Sequence, residues 1–459
     1  MYNLSTTAIR KEQAVNEFKY IITNYILPLL EHDGDIIIKY EPTKSKNIKK
    51  HIKCFHKRDG AFLYFFPALS TPQFHFRIKT NNDKQKLAIA EEILKEIVSV
   101  SKFDYRTNEF IEKYFYDKNN LYRNACFDVA FEIGLCNWLG NGCVYDLIKR
   151  LEEWSLKTYE GNHTTFGFIV DAEDTVNGEV DYISFLRSNH SAVFTDGVSS
   201  GIKLNKNGNV IEYFSVGKDV SRGKKHISWT PYEFTEFTNL CSASKIGIVL
   251  QNNGDILIFK SKRLIFVKRS GKWLFLDYHT IHSTIMSKYK SDDESVTFIE
   301  RKGFADEVYL SVLDSSFSHA GGCIAIVDEK YADTVSQQCF PKDSFDNDCE
   351  INFEKKSVAK RLIFTGTKNE GKYYFQDLNR KLRLELLSLD GATVLDSSGK
   401  ILCVGAIVKI DGGSDAGGRT AAAKALAKYG LSVKISMDGC IQFFASSNGN
   451  EPVELLKTL

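Results

Sequence analysis

Seven prolines in 459 residues, with no low-complexity tract, give the chain little means of building long extended linkers. Its length is therefore taken up by packed structure, and two or three domains are predicted. Charge of one sign is lacking too: 60 Lys and Arg stand against 58 Asp and Glu, a net of +2. Bulk charge thus directs the chain neither to nucleic acid nor to an anionic membrane. Long apolar runs are absent, and the longest early one, YIITNYILPLL, is too short to span a bilayer and carries Asn24 and Pro28. The opening MYNLSTTAIRKEQAV lacks the basic start, apolar stretch and small-residue cleavage site of a signal peptide. The ten cysteines include no CxxC, and the nearest pairs are Cys136/Cys143 and Cys339/Cys349. Such spacing suits neither a zinc site nor a disulfide framework. These absences predict a cytoplasmic protein whose thiols are reduced and buried as small hydrophobes.

What is present is core-forming material: 43% hydrophobic residues, with 32 Phe and 21 Tyr. Periodicity predicts an α+β chain. A helix is read over residues 10–32, strands in DIIIKY, AFLYFF and FHFRIK, and helices in KQKLAIAEEILKEIVSVS, NEFIEKYFYDKNNLYRNACFDVAFEIGL and VYDLIKRLEEWSLKTY. Residues 1–150 are taken as an N-terminal α+β domain and 151–230 as a β-rich connecting region. Beyond it, 231–459 form a domain with a mixed, mainly antiparallel sheet flanked by helices. In the last domain, SKIGIVLQNNGDILIFKSKRLIFVKRSGKWLFLDY has three apolar runs parted by turn residues, a predicted meander. VYLSVLDSSFSHAGGCIAIVDEKY reads as a helix, a glycine pair and a buried strand, and DLNRKLRLELLSL as a helix entering Asp390.

The chemistry concentrates in SLDGATVLDSSGKILCVGAIVKIDGGSDAGGRTAAAKALAKYG. Asp390 stands before a predicted strand, and Gly391 allows a ligand or another backbone to come close. After the return strand, a glycine-rich loop through Gly417 feeds a helix starting near Gly418 or Arg419, with Gly430 as its stop. Amides converging on a helix N-terminus, beside a guanidinium, suit an anion; a carboxylate opposite suits a divalent cation. LSVKISMDGCIQFF then forms a hairpin with Ser436 and Asp438 at its tip. A nearer hairpin, FTDGVSSGIKLNKNGNVIEY, echoes the Asp-Gly pattern, which common turn grammar explains.

Residues from about 242 to 450 resemble the diadenylate cyclase domain family through GGCIAIVDE, LDGATVL, GGRTAAAKALA and VKISMDGCIQFF. The resemblance implies two facing domains, each holding ATP and a metal ion, with the 3′-hydroxyl of each ATP attacking the α-phosphate of the other to give cyclic di-AMP. It implies that Asp390 binds Mg²⁺ or Mn²⁺ and helps activate the hydroxyl, and that Gly391 and Ala392 shape the nucleotide floor. Arg419 would meet the phosphates, with Gly417, Gly418 and Thr420 in the same loop and helix start, and Ser436 would lie near the adenine and phosphate edge. One departure stands out: Arg419-Thr420-Ala421 occupies the place of Arg-His-Arg. Catalysis would then draw on another cation, for which Lys409, Lys424 and Arg383 are candidates. Otherwise the domain is a silent nucleotide sensor signalling through residues 1–230, or a scaffold with an empty pocket.

Other features carry less. Seven Lys and Arg lie between 44 and 58, ahead of FLYFF, but the aromatics are contiguous rather than interleaved, as in a solvated edge beside a buried strand. His163, His190, His279 and His282 lack ligand spacing, and Asp171 and Asp196 fit strand-end and turn chemistry. Trp273 is predicted to pack the meander, with Lys268 and Arg269 on its rim.

Overall fold

The computed structural model describes residues 121–140, 143–174, 180–216, 229–276, 278–288, 298–335, 373–408, 417–446 and 452–458, with shorter segments between 20 and 96 and at 362–363. The chain divides into two compact units. The first comprises Met1–Thr195, Gly201–Phe214 and Ser244–Ile256; the second Asp196–Ser200, Ser215–Ala243 and Leu257–Leu459. Each unit is built from segments that are discontinuous in the chain. Pairing is the reason: the strand at 166–171 takes its antiparallel partner from 245–250, drawing that later segment into the first unit.

In the first unit β1 (Ile37–Lys39), β2 (Phe55–His56), β3 (Phe62–Phe65) and β4 (His75–Lys79) form an antiparallel sheet in the order β1-β4-β3-β2. The three predicted strands are among them. Of the basic run at 44–58, only the two residues of β2 lie within the described residues, and of the helix read at 10–32 only 20 and 22–26, which are helical. After a helical stretch at 88–94 come α1 (Leu121–Leu139) and α2 (Cys143–Ser155). Leu147, Ile148, Leu151 and Trp154 are buried along α2, the three-and-four spacing of an amphipathic helix. β5 (Phe166–Asp171) is buried throughout; β6 (Ser200–Asn205) and β7 (Val210–Ser215) lie on one side of it and β8 (Lys245–Leu250) on the other. Trp154 ties α2 to this layer, donating to Leu186 O at 2.7 Å with its ring 5.4 Å from that of Phe166.

The last segment of the second unit, from Leu257, holds the meander strands β9 (Ile256–Lys260, all but its first residue), β10 (Arg263–Arg269) and β11 (Lys272–Phe275). Both connections have positive φ at their two central residues, Ser261/Lys262 and Ser270/Gly271, the geometry that twists two strands into a tight hairpin. Trp273 packs as predicted, edge-on to Phe266 and beneath Lys268 Nζ. After α3 (Tyr278–Met286) and α4 (Phe298–Phe317), β12 (Gly322–Val327) is the first strand of a six-stranded sheet. Helix α5 (Arg380–Leu387) leads to β13 (Ala392–Asp396) and β14 (Ile401–Ala406), and α6 (Gly418–Ala427) to β15 (Gly430–Ile435), β16 (Ile441–Ala445) and β17 (Val453–Thr458). The order is β14-β13-β12-β15-β16-β17, and only β12 and β13 are parallel. The predicted mixed, mainly antiparallel sheet with flanking helices is thus present.

Alternation along β12 sends Cys323, Ala325 and Val327 to one face, where they meet Ala423, Leu426 and Ala427 of α6. Gly322 turns the other way: a Cβ there would stand 2.7 Å from Leu387 O of α5. Gly430 is not the helix stop that was predicted. It opens β15, and a Cβ on it would fall 2.1 Å from Ile326 O, so backbone crowding is what demands glycine. No described helix is long and apolar enough to cross a membrane.

Gly430→Ala should lower unfolding free energy by about 2 kcal/mol, the scale of overpacking a close-packed core. Urea unfolding measures it; an unchanged midpoint would mean that β15 shifts away from β12 at little cost.

Candidate functional site

Helix α5 aims the chain at the site. Asn379 caps it, its side chain accepting from Lys381 N at 2.9 Å, and Leu384, Leu386 and Leu387 bury its inner face. Two ion pairs lock α5 to α4. Arg380 grips Asp314 through Nε and Nη2, both at 2.7 Å, while Arg383 meets Glu307, Ser311 Oγ and Leu378 O. Burial pushes the Arg383 guanidinium below its ordinary range, and Glu307 opposes that. Arg383 is thereby committed to the helix pair and does not serve the Asp390 region.

The chain leaves α5 at Ser388 and reaches Asp390 and Gly391. At Gly391 φ is +107°, and a Cβ would fall 2.4 Å from the Gly405 carbonyl carbon. The close approach foreseen there is that of the β14 backbone. Parallel pairing of Ile324 with Thr393 through Val327 with Asp396, followed back toward the strand starts, sets Gly321 level with Asp390. Antiparallel pairing of Gly322 with Ile435 sets Ser436 on the other side of Gly321. Arg419 comes in from above: a Cβ on Gly321 would lie 2.7 Å from its Nη1 and 3.1 Å from its Cζ. One sheet edge therefore gathers Asp390, Arg419 and Ser436.

Asp390 is exposed and makes no hydrogen bond or ion pair with a described residue. The other Asp-Gly hairpin behaves differently. Asp196 Oδ1 accepts from Val198 N, Ser199 N and Ser200 N at 3.0, 2.8 and 2.9 Å, closing its own turn. Burial works against that carboxylate, yet these bonds hold it below the usual range. Asp396 likewise takes Ser398 N and Lys400 N at 2.8 and 2.9 Å. Asp196 shares the Asp-Gly pattern with Asp390, whereas the Asp390 carboxylate is left to solvent.

Gly417 caps α6 at φ +81° without a side-chain acceptor, and Gly417 and Gly418 are exposed, with no other described atom within 4 Å of where a Cβ on either would stand. Thr420 and Ala392 lie deeper. Thr420 shares the buried face of α6 with Ala423 and Ala427, and Ala392 belongs to the same core. Their side chains support the site from below. Lys424 is exposed five residues beyond Arg419, turned well around the helix from it. Lys409 and loop residues 412–416 lie outside the described residues.

Three residues that sequence reading did not associate with the site brace the Ser436 hairpin. Ser316 Oγ donates to Gly439 O at 2.5 Å. His319 Nδ1 lies 2.8 Å from Met437 O, and since a carbonyl only accepts, that nitrogen carries the proton. Arg269 is buried, donates to Asp438 O at 3.4 Å and lies 5.2 Å from the centre of the Phe317 ring. It belongs to this hairpin and not only to the meander rim. A separation of 169 residues between donor and acceptor leaves no local signal to read.

The remaining candidates are satisfied elsewhere. His282 Nε2 lies 2.7 Å from Asp306 Oδ1 between α3 and α4, and Asp171 pairs with Lys203 and Lys245 at 3.7 and 3.9 Å. His163 is exposed, His190 lies in a short 3₁₀ turn, and the His279 side chain is outside the described residues. Among the described residues, no three His, Cys, Asp or Glu side chains come together as a metal cage. The described cysteines are thiols; Cys136, Cys143, Cys241, Cys323 and Cys403 are buried.

No protein-family model and no curated protein matches this chain. The chemistry of the edge therefore rests on its own groups. A solvent-facing carboxylate, a guanidinium and an open helix start suit an anion that brings a divalent cation with it.

Cys323 tests this placement. Burial pushes its thiol up to about 12, and the nearby Arg419 charge only partly offsets that. In native protein at pH 8, iodoacetamide should leave Cys323 unmodified by mass spectrometry while labelling the half-buried Cys440 faster. Labelling at equal rates would contradict the burial of β12 beneath α6.

Proposed function

We propose that the second unit binds ATP, or a related adenine nucleotide, with Mg²⁺ or Mn²⁺ at the Asp390–Arg419 edge, and joins two ATP into a cyclic dinucleotide of the cyclic di-AMP type. Each 3′-hydroxyl oxygen forms a bond to the α-phosphorus of the opposite ATP, each hydroxyl loses its proton and two pyrophosphates leave. The reaction needs two such edges facing each other in a homodimer, and the proposed setting is cytoplasmic second-messenger or defence signalling. No nucleic-acid or membrane partner is proposed. The observation that carries the reading is the shared edge: strand register brings a solvent-facing Asp390, the Arg419 guanidinium and Ser436 to the same end of the sheet.

Asp390 suits Mg²⁺ or Mn²⁺ because a hard cation of this size takes one or two carboxylates and completes its shell with phosphates and water. A multi-residue cage is not required. When bound, the ion would lower charge repulsion among phosphates and favour the ionised hydroxyl. Arg419 and the amides at the start of α6 would hold phosphate oxygens, and Gly417 and Gly418 leave them room. Ser436 would contact the nucleotide from the braced hairpin.

A second reading has its own support. The histidine and second arginine of the active pattern are here Thr420, buried on the sheet side of α6, and Ala421. Arg383 and Lys424, two of the cations considered as replacements, do not reach the edge. Loss of one preorganised phosphate contact costs roughly 3–4 kcal/mol, or about a hundredfold to a thousandfold in rate. A domain thinned in this way could hold a nucleotide without turning it over and report its presence through residues 1–230.

Purified protein incubated with ATP and Mn²⁺ or Mg²⁺ separates the two. A cyclic dinucleotide seen by mass spectrometry, and lost with Asp390→Asn, supports the cyclase. Nucleotide retained without product supports the sensor. Neither product nor bound nucleotide, across the four nucleoside triphosphates, overturns both. Arg419→Ala should weaken ATP binding about tenfold or more in either case, as loss of a charge-assisted contact does.

A further inference from the structure

The glycine pair ahead of β12 serves two ends. Gly322 is required by α5, whose Leu387 O would stand 2.7 Å from a Cβ. Gly321 is required by Arg419: at φ +66°, its missing Cβ is the space that the guanidinium occupies, with Nη1 2.7 Å and Cζ 3.1 Å from where that carbon would be. Met437 Cγ borders the same space at 3.3 Å. Met437 is itself held, because its carbonyl accepts from His319 and the neighbouring Gly439 carbonyl from Ser316. Arginine has many rotamers to lose, so a side chain kept in place before a ligand arrives loses less on binding.

We propose that Gly321 is a positioning residue: its bare backbone, walled by Met437, is the seat that holds the Arg419 guanidinium ready at the sheet edge for a phosphate. This rests on the nucleotide reading above and adds how its phosphate contact is preorganised. A methyl group at Gly321 would push the flexible end of Arg419 off the seat, while Asp390 and Ser436 stay where their strands put them.

The test is a double-mutant cycle by titration calorimetry with ATP and Mg²⁺, using wild type, Gly321→Ala, Arg419→Ala and the double variant. Gly321→Ala should lose about tenfold in ATP affinity and little for adenosine, which lacks phosphates. In the Arg419→Ala background the same change should add less than about twofold. Met437→Ala is a second variant free of the positive-φ strain; Met437 is 65% exposed, and removing the wall should cost about threefold for ATP. An additive loss in the double variant, an equal loss for adenosine, or wild-type affinity in both Gly321→Ala and Met437→Ala would overturn the proposal and leave the nucleotide reading standing. Should Gly321→Ala fail to fold, the Met437→Ala cycle with Arg419→Ala decides by the same criteria. Absence of ATP binding by wild type would remove the nucleotide reading and this proposal with it.

Discussion

The central constraint in the second unit is the pairing of β12, parallel to β13 on one side and antiparallel to β15 on the other. Three stretches far apart in the chain end at the same level because of it. Asp390 arrives from α5, Ser436 follows β15 and Arg419 descends from α6. A one-residue slip would turn Cys323 and Ala325 away from α6 and bring Gly322 round in their place. Gly430 makes such a slip costly, since it leaves room for the β12 backbone that no side chain would tolerate, and Gly391 does the same for β13 against β14. Register and site geometry are therefore one property.

The sheet needs its helices held in turn, and charge does that for α5. Asp314 and Arg383 are almost wholly buried, each with a partner on the opposite helix. Such pairs add little to stability over apolar packing, but breaking one leaves a charge stranded in the interior, so they oppose alternative helix placements. The position of α5 matters because the residues after it lead directly into Asp390. Ser316, His319 and Arg269 do the corresponding work for the Ser436 hairpin. The site is thus carried on a frame whose bracing groups are distinct from Asp390, Arg419 and Ser436.

Much of this was readable beforehand. Apolar runs parted by turn residues marked the meander, a glycine pair before an apolar run marked β12, alanine marked α6, and the entry of α5 into Asp390 followed from its helical spacing. What local pattern could not separate was one Asp-Gly from another. Asp196 and Asp390 each precede a glycine, yet one closes its turn and the other faces solvent, a distinction made by the strands and backbone around each. Gly430 was misread for a related reason, as a glycine after a helix has the same local signature whether it ends the helix or yields to a crossing strand. Arg383 looked like a spare cation because nothing nearby in the chain reveals Glu307 as its partner.

Legible in the chain alone were the α+β class, the meander, the strands and helices that lead to Asp390, Arg419 and Ser436, and the residue types able to meet an anion and a cation, but not α3 or β17. Each of these depends on spacings of a few residues, where chain geometry alone sets which side chains share a face. The tertiary structure alone decided which aspartate stays open, which arginine is available, why Gly321 and Gly322 are both glycine, and where one unit gives way to the next. Those outcomes depend on strand register and on contacts between residues tens to hundreds of positions apart, for which no short-range pattern in the chain is a substitute.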